Sequence, residues 1–287
     1  MTKTTSLGPN RIVLVTGGSS GIGLATAKLL AEFGCHVWLA ARREELLQVA
    51  LKVLEASAVS TEQRFGYSAA DLSDVDQATQ VISQVKQALG APHLLVNAAG
   101  IVEPGCFTDL SLGDFHRQME VNFYATLYMV KAVLPGMLER GAGTIVNIAS
   151  LAAVLGIFGY TAYGASKYAV RGFSEALRAE LKPLGIHVML VFPPDTDTPQ
   201  LAYDIQTKPP ETKALAGNMH VMSPDEVAHE ILKGIQRQRA SVIPGLEGKL
   251  LYRLSGLLGD AVYPIMDILI ARAQRKQNLS SNDGDKK

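Results

Sequence analysis

Three side chains near the middle of the sequence have types and spacing that suit acid–base chemistry. Tyr163 and Lys167 lie four residues apart in the amphipathic segment YGASKYAVRGFSEALRAELK, and Ser150 ends the apolar run GTIVNIAS. Since residues four apart share a helix face, the Lys167 ammonium should lie beside the Tyr163 phenol. An unperturbed tyrosine titrates near ~10, and a neighbouring ammonium lowers that pKa, which would make Tyr163 a usable acid near neutral pH. A tyrosine–lysine pair alone is common on helices, so its meaning depends on Ser150 and on a loop upstream.

That loop is glycine-rich and has the features of a phosphate-binding turn. TGGSSGIG (16–23) directly follows the apolar run RIVLVT and opens a helical segment. Glycines let the backbone turn tightly and approach a pyrophosphate, whose charge then lies at the helix N-terminus. The spacing G-x-x-x-G-x-G differs from the fingerprint G-x-G-x-x-G, and the alternative is a plain strand–helix turn. The residues expected at the pyrophosphate are Gly17, Ser19, Ser20, Gly21, Ile22 and Gly23.

The end of the second predicted strand favours NADPH over NADH. In LAARR (39–43), Arg42 and Arg43 stand where a carboxylate would bind the adenosine ribose 2′-hydroxyl. A guanidinium instead binds a 2′-phosphate through two parallel hydrogen bonds and stacks on adenine. The alternative is that both arginines only solvate the start of the next helix.

Two further strand ends fit a dinucleotide site. In ADLS (70–73), Asp71 could hold the adenine amine beside Leu72, or it could cap the following helix. In NAAG (97–100), small residues would let the backbone pass close to a cofactor, although a structural turn explains them nearly as well. The residues expected to contact the cofactor there are Asn97, Ala98 and Gly100.

The elements that must position these residues alternate along the chain. Apolar, β-branched runs at 11–16, 36–41, 64–70, 93–99, 143–150, 186–192 and 240–245 are separated by helical patterns, including a long one over 112–139. Near-continuous apolar strands separated by helices are typical of a parallel sheet covered on both faces. We therefore expect an α/β fold, a single Rossmann-type, doubly wound sheet over residues 1–245. It includes a proline-rich substrate loop at about 194–222 without sustained periodicity.

The remaining segments and the bulk composition narrow the function classes. Lys plus Arg and Asp plus Glu both number 27, so no global field favours nucleic acid, and we expect two reduced cysteines and no secretory signal or spanning helix. A cytoplasmic protein is predicted. Residues 246–277 are rich in leucine but interrupted by Arg253, Asp260 and Asp267, which predicts a helical hairpin that packs on a neighbour or lies at a membrane surface. A disordered tail is expected at 278–287.

Taken together, residues 10–245 resemble the short-chain dehydrogenase/reductase family. The resemblance lies in Thr16–Gly23, Asn97–Gly100, Asn122, Ser150, Tyr163 and Lys167, which occur in the family's order and spacing. It implies Tyr163 as general acid/base, Ser150 orienting the substrate oxygen, and Lys167 holding the nicotinamide ribose. It also implies that Asn122 anchors a water relay to Lys167; without the family it would be a satisfied polar group within a helix. Homodimers or homotetramers are implied, no metal is, and the residues matching the nicotinamide contacts are Pro193, Thr196 and Thr198.

One departure from the family pattern points to a subfamily. Pro193-Pro194 replaces the usual Pro-Gly, and proline cannot adopt the positive φ that is open to glycine. PPDTDTP (193–199), TKPPET (207–212) and FGYTAYGASKYAVRG (158–172) resemble the NADPH-dependent reductases of 3-ketosphinganine. The resemblance implies hydride transfer to a lipid ketone. The alternatives are another NADPH-dependent ketone or 3-oxoacyl reductase, or a non-catalytic dinucleotide sensor, which would have no need of a proton donor.

Overall fold

Seven parallel strands form one sheet in the computed structural model, which describes residues 7–217 and 220–284. The strand order is β3-β2-β1-β4-β5-β6-β7, so the chain runs outward from β1 in one direction and then returns to extend the sheet in the other. This order confirms the predicted doubly wound topology. The strands are β1 (Ile12–Thr16), β2 (His36–Ala41), β3 (Phe65–Ala69), β4 (Leu94–Asn97), β5 (Gly143–Ile148), β6 (Ile186–Val191) and β7 (Ser241–Val242).

Helices cover both faces of the sheet, which explains why β1 is apolar at every position before Thr16. Val13 and Val15 pack in the apolar cluster on one face of the sheet, whereas Ile12 and Leu14 pack in the cluster on the other face. Successive strand residues point to opposite faces, and here each face meets a helix layer. The helices are α1 (Gly21–Glu32), α2 (Glu44–Ala56), α3 (Val75–Ala88), α4 (Leu112–Met119), α5 (Ala125–Arg140), α6 (Thr161–Leu181), α7 (Pro199–Thr207), α8 (Pro210–Ala216), α9 (Pro224–Gln236), α10 (Leu246–Leu258) and α11 (Val262–Gly284).

A buried chain of polar side chains links the centre of the sheet to α6. Asn97 Nδ2 on β4 donates to Asn147 Oδ1 on β5 at 2.9 Å, and Asn147 Nδ2 donates to Ser174 Oγ on α6 at 2.8 Å. Ser174 Oγ in turn donates to the Val170 carbonyl at 2.7 Å. Buried polar groups are costly unless bonded, so this chain favours one position of α6 against the sheet.

The long helix predicted over 112–139 is divided. A π-helical turn, Glu120–Tyr124, separates α4 from α5, and the Ala125 N–H donates to the Glu120 carbonyl across it. Sequence periodicity of 3.6 does not show such a turn, because one extra residue is absorbed locally. The turn contains Asn122, which is almost fully buried.

The proline-rich segment 194–222, predicted to lack regular structure, contains α7 and α8. Thr198 Oγ1 caps α7 by accepting from the Leu201 N–H at 3.2 Å, and Pro199 takes the first helical position. Pro210 likewise takes the first helical position of α8. Proline at a helix start loses no hydrogen bond, so these prolines begin helices rather than prevent them. Residues 218–219 lie outside the described residues.

The C-terminal extension also departs from its prediction. α11 runs to Gly284 and so extends into the segment 278–287, for which the sequence predicts a disordered tail. Residues 285–287, the rest of the predicted tail, lie outside the described residues. α11 packs on α8 rather than back along α10, so the two helices do not form the predicted hairpin.

The extension is more apolar than we expected from its charged residues. By length and composition alone, Leu246–Arg275 could cross a membrane, with a mean hydropathy of 1.5 in a window that is 0% buried. Length and composition do not test the expectation that no helix spans a membrane, which stays a prediction. Leu246 and Leu257 are each 83% exposed, which leaves a large apolar face of α10 and α11 uncovered.

Candidate active site

A cleft of about 880 Å³ opens along the carboxyl ends of the strands. The loops after β1 to β6 all contribute to it, because parallel strands end at the same edge of the sheet. Nearly all the residues that the sequence analysis predicted for the site line this cleft: Gly17, Ser19, Ser20, Gly21, Ile22, Gly23, Arg42, Arg43, Asp71, Leu72, Ala98, Gly100, Ser150, Tyr163, Lys167, Pro193, Thr196 and Thr198.

Asn97 and Asn122 are not among the lining residues. The Asn97 side chain is turned into the core, where it bonds Asn147, and its predicted contact with a cofactor stays a prediction. Asn122 is bound on both ends of its amide: Oδ1 accepts from the Ile101 N–H at 2.8 Å, while Nδ2 donates to the Ile101 carbonyl and to Ser166 Oγ. Both amides hold the loop after β4 and helix α6 in place from behind the cleft.

The glycine loop fits a dinucleotide. Gly17 has φ +64°, and a Cβ on it would lie 2.7 Å from the backbone of Ala98. A Cβ on Gly23 would lie 2.3 Å from the Gly17 carbonyl oxygen, so a side chain at either position would force the loops apart. Within the described part of the chain, the Ser20 side chain does not cap α1, which leaves the first N–H groups of the helix for an anion. The backbone thus forms a cradle suited to a pyrophosphate.

The residues proposed for the adenosine end lie at the carboxyl ends of β2 and β3. Arg42 and Arg43 line the cleft and are exposed, so their guanidinium groups can reach a phosphate. Asp71 accepts from the Ser73 N–H at 3.0 Å, and α3 is capped by Asp74 rather than by Asp71. The alternative that Asp71 is the helix cap is therefore wrong.

Tyr163, Ser150 and Lys167 all line the cleft, but the pKa of Tyr163 shifts in the direction opposite to the prediction. Burial raises the pKa of Tyr163 to about 12, against the lowering effect of hydrogen bonds with Ser150 and Gln200. The Lys167 Nζ lies 5.8 Å from the centroid of the Tyr163 ring and donates to the Ile148 carbonyl at 3.2 Å. Burial lowers the pKa of Lys167 to about 8. Desolvation is the largest cause of both shifts, so the Tyr163 pKa lies above its ordinary value and the predicted lowering is not found.

The structure adds residues that the sequence analysis missed. Gln200 lines the cleft and lowers the pKa of Tyr163, and the Tyr160 ring meets the Tyr163 ring edge-on with centroids 5.4 Å apart. Asp204 and Lys208 lie one turn apart on α7 and its C-cap, a spacing hidden because α7 itself was not predicted.

Beyond these polar groups the cleft has an apolar wall. Helices α8, α10 and α11 contribute to it, and so do the loop after β5 and α7. This wall suits a long hydrocarbon chain better than a carbohydrate or a nucleotide. Its large apolar side chains are Leu155, Ile157, Leu201, Leu215, Leu251, Met266 and Leu269.

A family model described as a short chain dehydrogenase matches residues 11–209. The chain belongs to the short-chain dehydrogenase/reductase family. Members of this family are oxidoreductases that use a nicotinamide dinucleotide, so the chain is an enzyme with such a cofactor. The glycine cradle and the cleft agree with that assignment.

Individual relatives and structures give the same family. A 3-ketodihydrosphingosine reductase from Bos taurus is 40% identical over 250 residues, covering 87% of this chain and 74% of that protein. A 3-dehydrosphinganine reductase from Danio rerio is 39% identical over 246 residues, covering 85% and 73%. A solved short-chain dehydrogenase/reductase from Mycobacterium ulcerans is similar with a TM-score of 0.76 at 25% identity, covering 88% of this chain and 95% of that one.

The buried ammonium predicts a stability cost that depends on pH. A lysine with a folded pKa near 8 and an unfolded pKa of 10.5 destabilises the fold below pH 8, and the cost is relieved as pH rises toward 10.5. Lys167→Met should therefore be more stable than the wild type by about 3 kcal/mol at pH 7 and by about 1.5 kcal/mol at pH 9.5. Urea unfolding at both pH values measures this.

The matched control is Lys131→Met, which removes an exposed ammonium from α5 and should change stability by less than about 0.5 kcal/mol. If Lys167→Met is not more stable than the wild type, or if its gain in stability is the same at the two pH values, the assignment of Lys167 as a destabilising buried cation is contradicted.

Proposed function

We propose that the enzyme reduces 3-ketosphinganine to sphinganine with NADPH. The observation that supports this proposal is that Ser150, Tyr163 and Lys167 line the same cleft as a glycine-rich cradle and an apolar wall. The cradle supplies a place for the cofactor, and the wall suits the long chain of a lipid ketone. The names of the relatives from Bos taurus and Danio rerio support the same substrate.

The reaction needs a hydride donor and an acid, and this chain supplies the acid. NADPH, when bound, supplies the hydride to the ketone carbon. Ser150 and Tyr163 would hydrogen-bond the ketone oxygen as negative charge develops on it, and Tyr163 would donate the proton. Burial keeps the phenol of Tyr163 protonated until that charge appears, and Lys167 would then stabilise the phenolate. The role of Asn122 as anchor of a water relay stays a prediction.

Tyr163→Phe tests the acid directly. We expect kcat with 3-ketosphinganine to fall at least about 100-fold, because general acid catalysis contributes factors of this order, while NADPH still binds. NADPH oxidation followed by absorbance and cofactor titration by fluorescence measure the two effects.

Tyr168→Phe is the matched control, since Tyr168 lies on the same helix and is 42% exposed; it should retain wild-type turnover. Appreciable turnover in Tyr163→Phe would remove Tyr163 from the acid role. Preference of the wild type for short, carrier-bound 3-oxoacyl ketones would instead favour the alternative substrate class.

Arg42→Ala tests the choice of NADPH. A charge-assisted hydrogen bond contributes about 1.5–3 kcal/mol, so the Kd for NADPH should rise about 10- to 100-fold while that for NADH changes little. The control is Arg237→Ala, an exposed arginine at the end of α9 that does not line the cleft. Equal weakening of both cofactors would show that Arg42 does not bind the 2′-phosphate.

We further propose that the exposed apolar face of α10 and α11 contacts a membrane surface. Leu246 and Leu257 are its most exposed members, and burying a leucine contributes about 1.5–3 kcal/mol. Leu246→Glu with Leu257→Glu should therefore weaken co-sedimentation with phosphatidylcholine–phosphatidylserine vesicles by tenfold or more.

Leu112→Glu is the control, because Leu112 is 79% exposed but lies at the start of α4. Failure of the wild type to bind vesicles, together with dissociation of a homodimer or homotetramer by the double variant, would assign the face to a neighbouring subunit.

A further inference from the structure

A charged cluster lies in the cleft beside Tyr163, and proton transfer does not require it. Lys208 Nζ donates to Asp204 Oδ2 at 3.0 Å and approaches Asp195 Oδ2 at 3.5 Å. The Tyr160 hydroxyl lies 2.8 Å from both carboxylate oxygens of Asp204. All four residues line the cleft, and Tyr160 packs directly on Tyr163.

The members of the cluster differ in how completely they are paired. The side chains of Lys208 and Asp204 are only 5% and 6% exposed, and Asp204 has bonds from both Tyr160 and Lys208. The Asp195 side chain is 38% exposed and, among the residues described, is held only by the longer contact with Lys208. One ammonium thus faces two carboxylates. The surplus negative charge lies with Asp195.

Asp195 is held firmly by its backbone. Its N-terminal neighbour is Pro194, and its carbonyl accepts from the Met222 N–H at 3.0 Å. In the other direction, the Asp197 N–H donates to the Met222 carbonyl at 2.8 Å. With the backbone fixed in this way, only the short side chain of Asp195 has to be ordered when a ligand binds, which lowers the entropy cost of binding.

We propose that Asp195 binds the ammonium group of an amino-ketone substrate, with Lys208, itself held by Asp204, as its positioning residue. The inference rests on the proposed function. In 3-ketosphinganine the amine is on the carbon next to the ketone, so a cation must lie close to Tyr163 when the ketone does. Asp195 supplies the charge that a cation needs there, and an acyl ketone without an amine gains nothing from it.

A purely structural ion pair does not account for the cluster. Lys208 with Asp204 alone would be neutral, and a second carboxylate in a partly desolvated cleft costs free energy unless a cation compensates it. The site therefore pairs a carboxylate for the polar head with the apolar wall for the chain.

The test compares two substrates in the intact enzyme with NADPH. One is 3-ketosphinganine and the other is the same ketone with hydrogen in place of the amine. Asp195→Asn should lower kcat/KM for the amino ketone about 10- to 100-fold, chiefly through KM, because a charged hydrogen bond is lost. For the deaminated ketone the change should be less than about threefold, by the same argument.

Asp197→Asn is the matched control, since Asp197 is exposed, two residues away and outside the cleft lining; both substrates should keep wild-type kcat/KM. Equal losses on the two substrates in Asp195→Asn, or no preference of the wild type for the amino ketone, would overturn this inference and leave the proposed function standing. Turnover of neither ketone by the wild type would overturn the proposed function and this inference with it.

Discussion

The burial of the Lys167 ammonium is the constraint on which the rest of the cleft depends. Among the residues that the structure describes, the Lys167 ammonium donates one hydrogen bond, to the Ile148 carbonyl, and such a buried cation costs free energy of folding. Its surroundings must be rigid enough that the side chain cannot escape to water. The chain from Asn97 through Asn147 to Ser174 and the bonds of Asn122 supply that rigidity by holding α6 against the strands and the loop after β4.

The same constraint explains why Gly100 faces the ammonium. A Cβ on Gly100 would lie 3.2 Å from Lys167 Nζ and 3.1 Å from Asn122 Oδ1. A side chain there would press on both groups at once. Burying Lys167 lowers the free energy of unfolding, and the hydrophobic core offsets that loss. Functional sites commonly retain groups that destabilise the fold in this way.

Much of the fold and the site could be predicted from the sequence, because both depend on local patterns. Apolar runs and strand-end residues located β1 to β7, and the glycine loop, Arg42, Ser150 and Tyr163 all line the cleft as expected. What could not be predicted depends on burial and on contacts between distant segments. The Tyr163 pKa rises because of its enclosure, which no spacing encodes. Asn97 faces the core, and α7 was hidden by prolines that in fact begin helices.

The two C-terminal helices join the exterior of the molecule to its interior. Leu251, Met266 and Leu269 line the cleft, while Leu246 and Leu257 on α10 and Ile265 and Ile268 on α11 are exposed. A hydrocarbon chain moving along these helices would pass from one apolar side chain to the next without being exposed to water. Hydration of a methylene costs about 0.8 kcal/mol, so for a long chain such a path removes the largest barrier to leaving an apolar phase. The free-energy cost of binding an insoluble ketone would then come from its polar head alone.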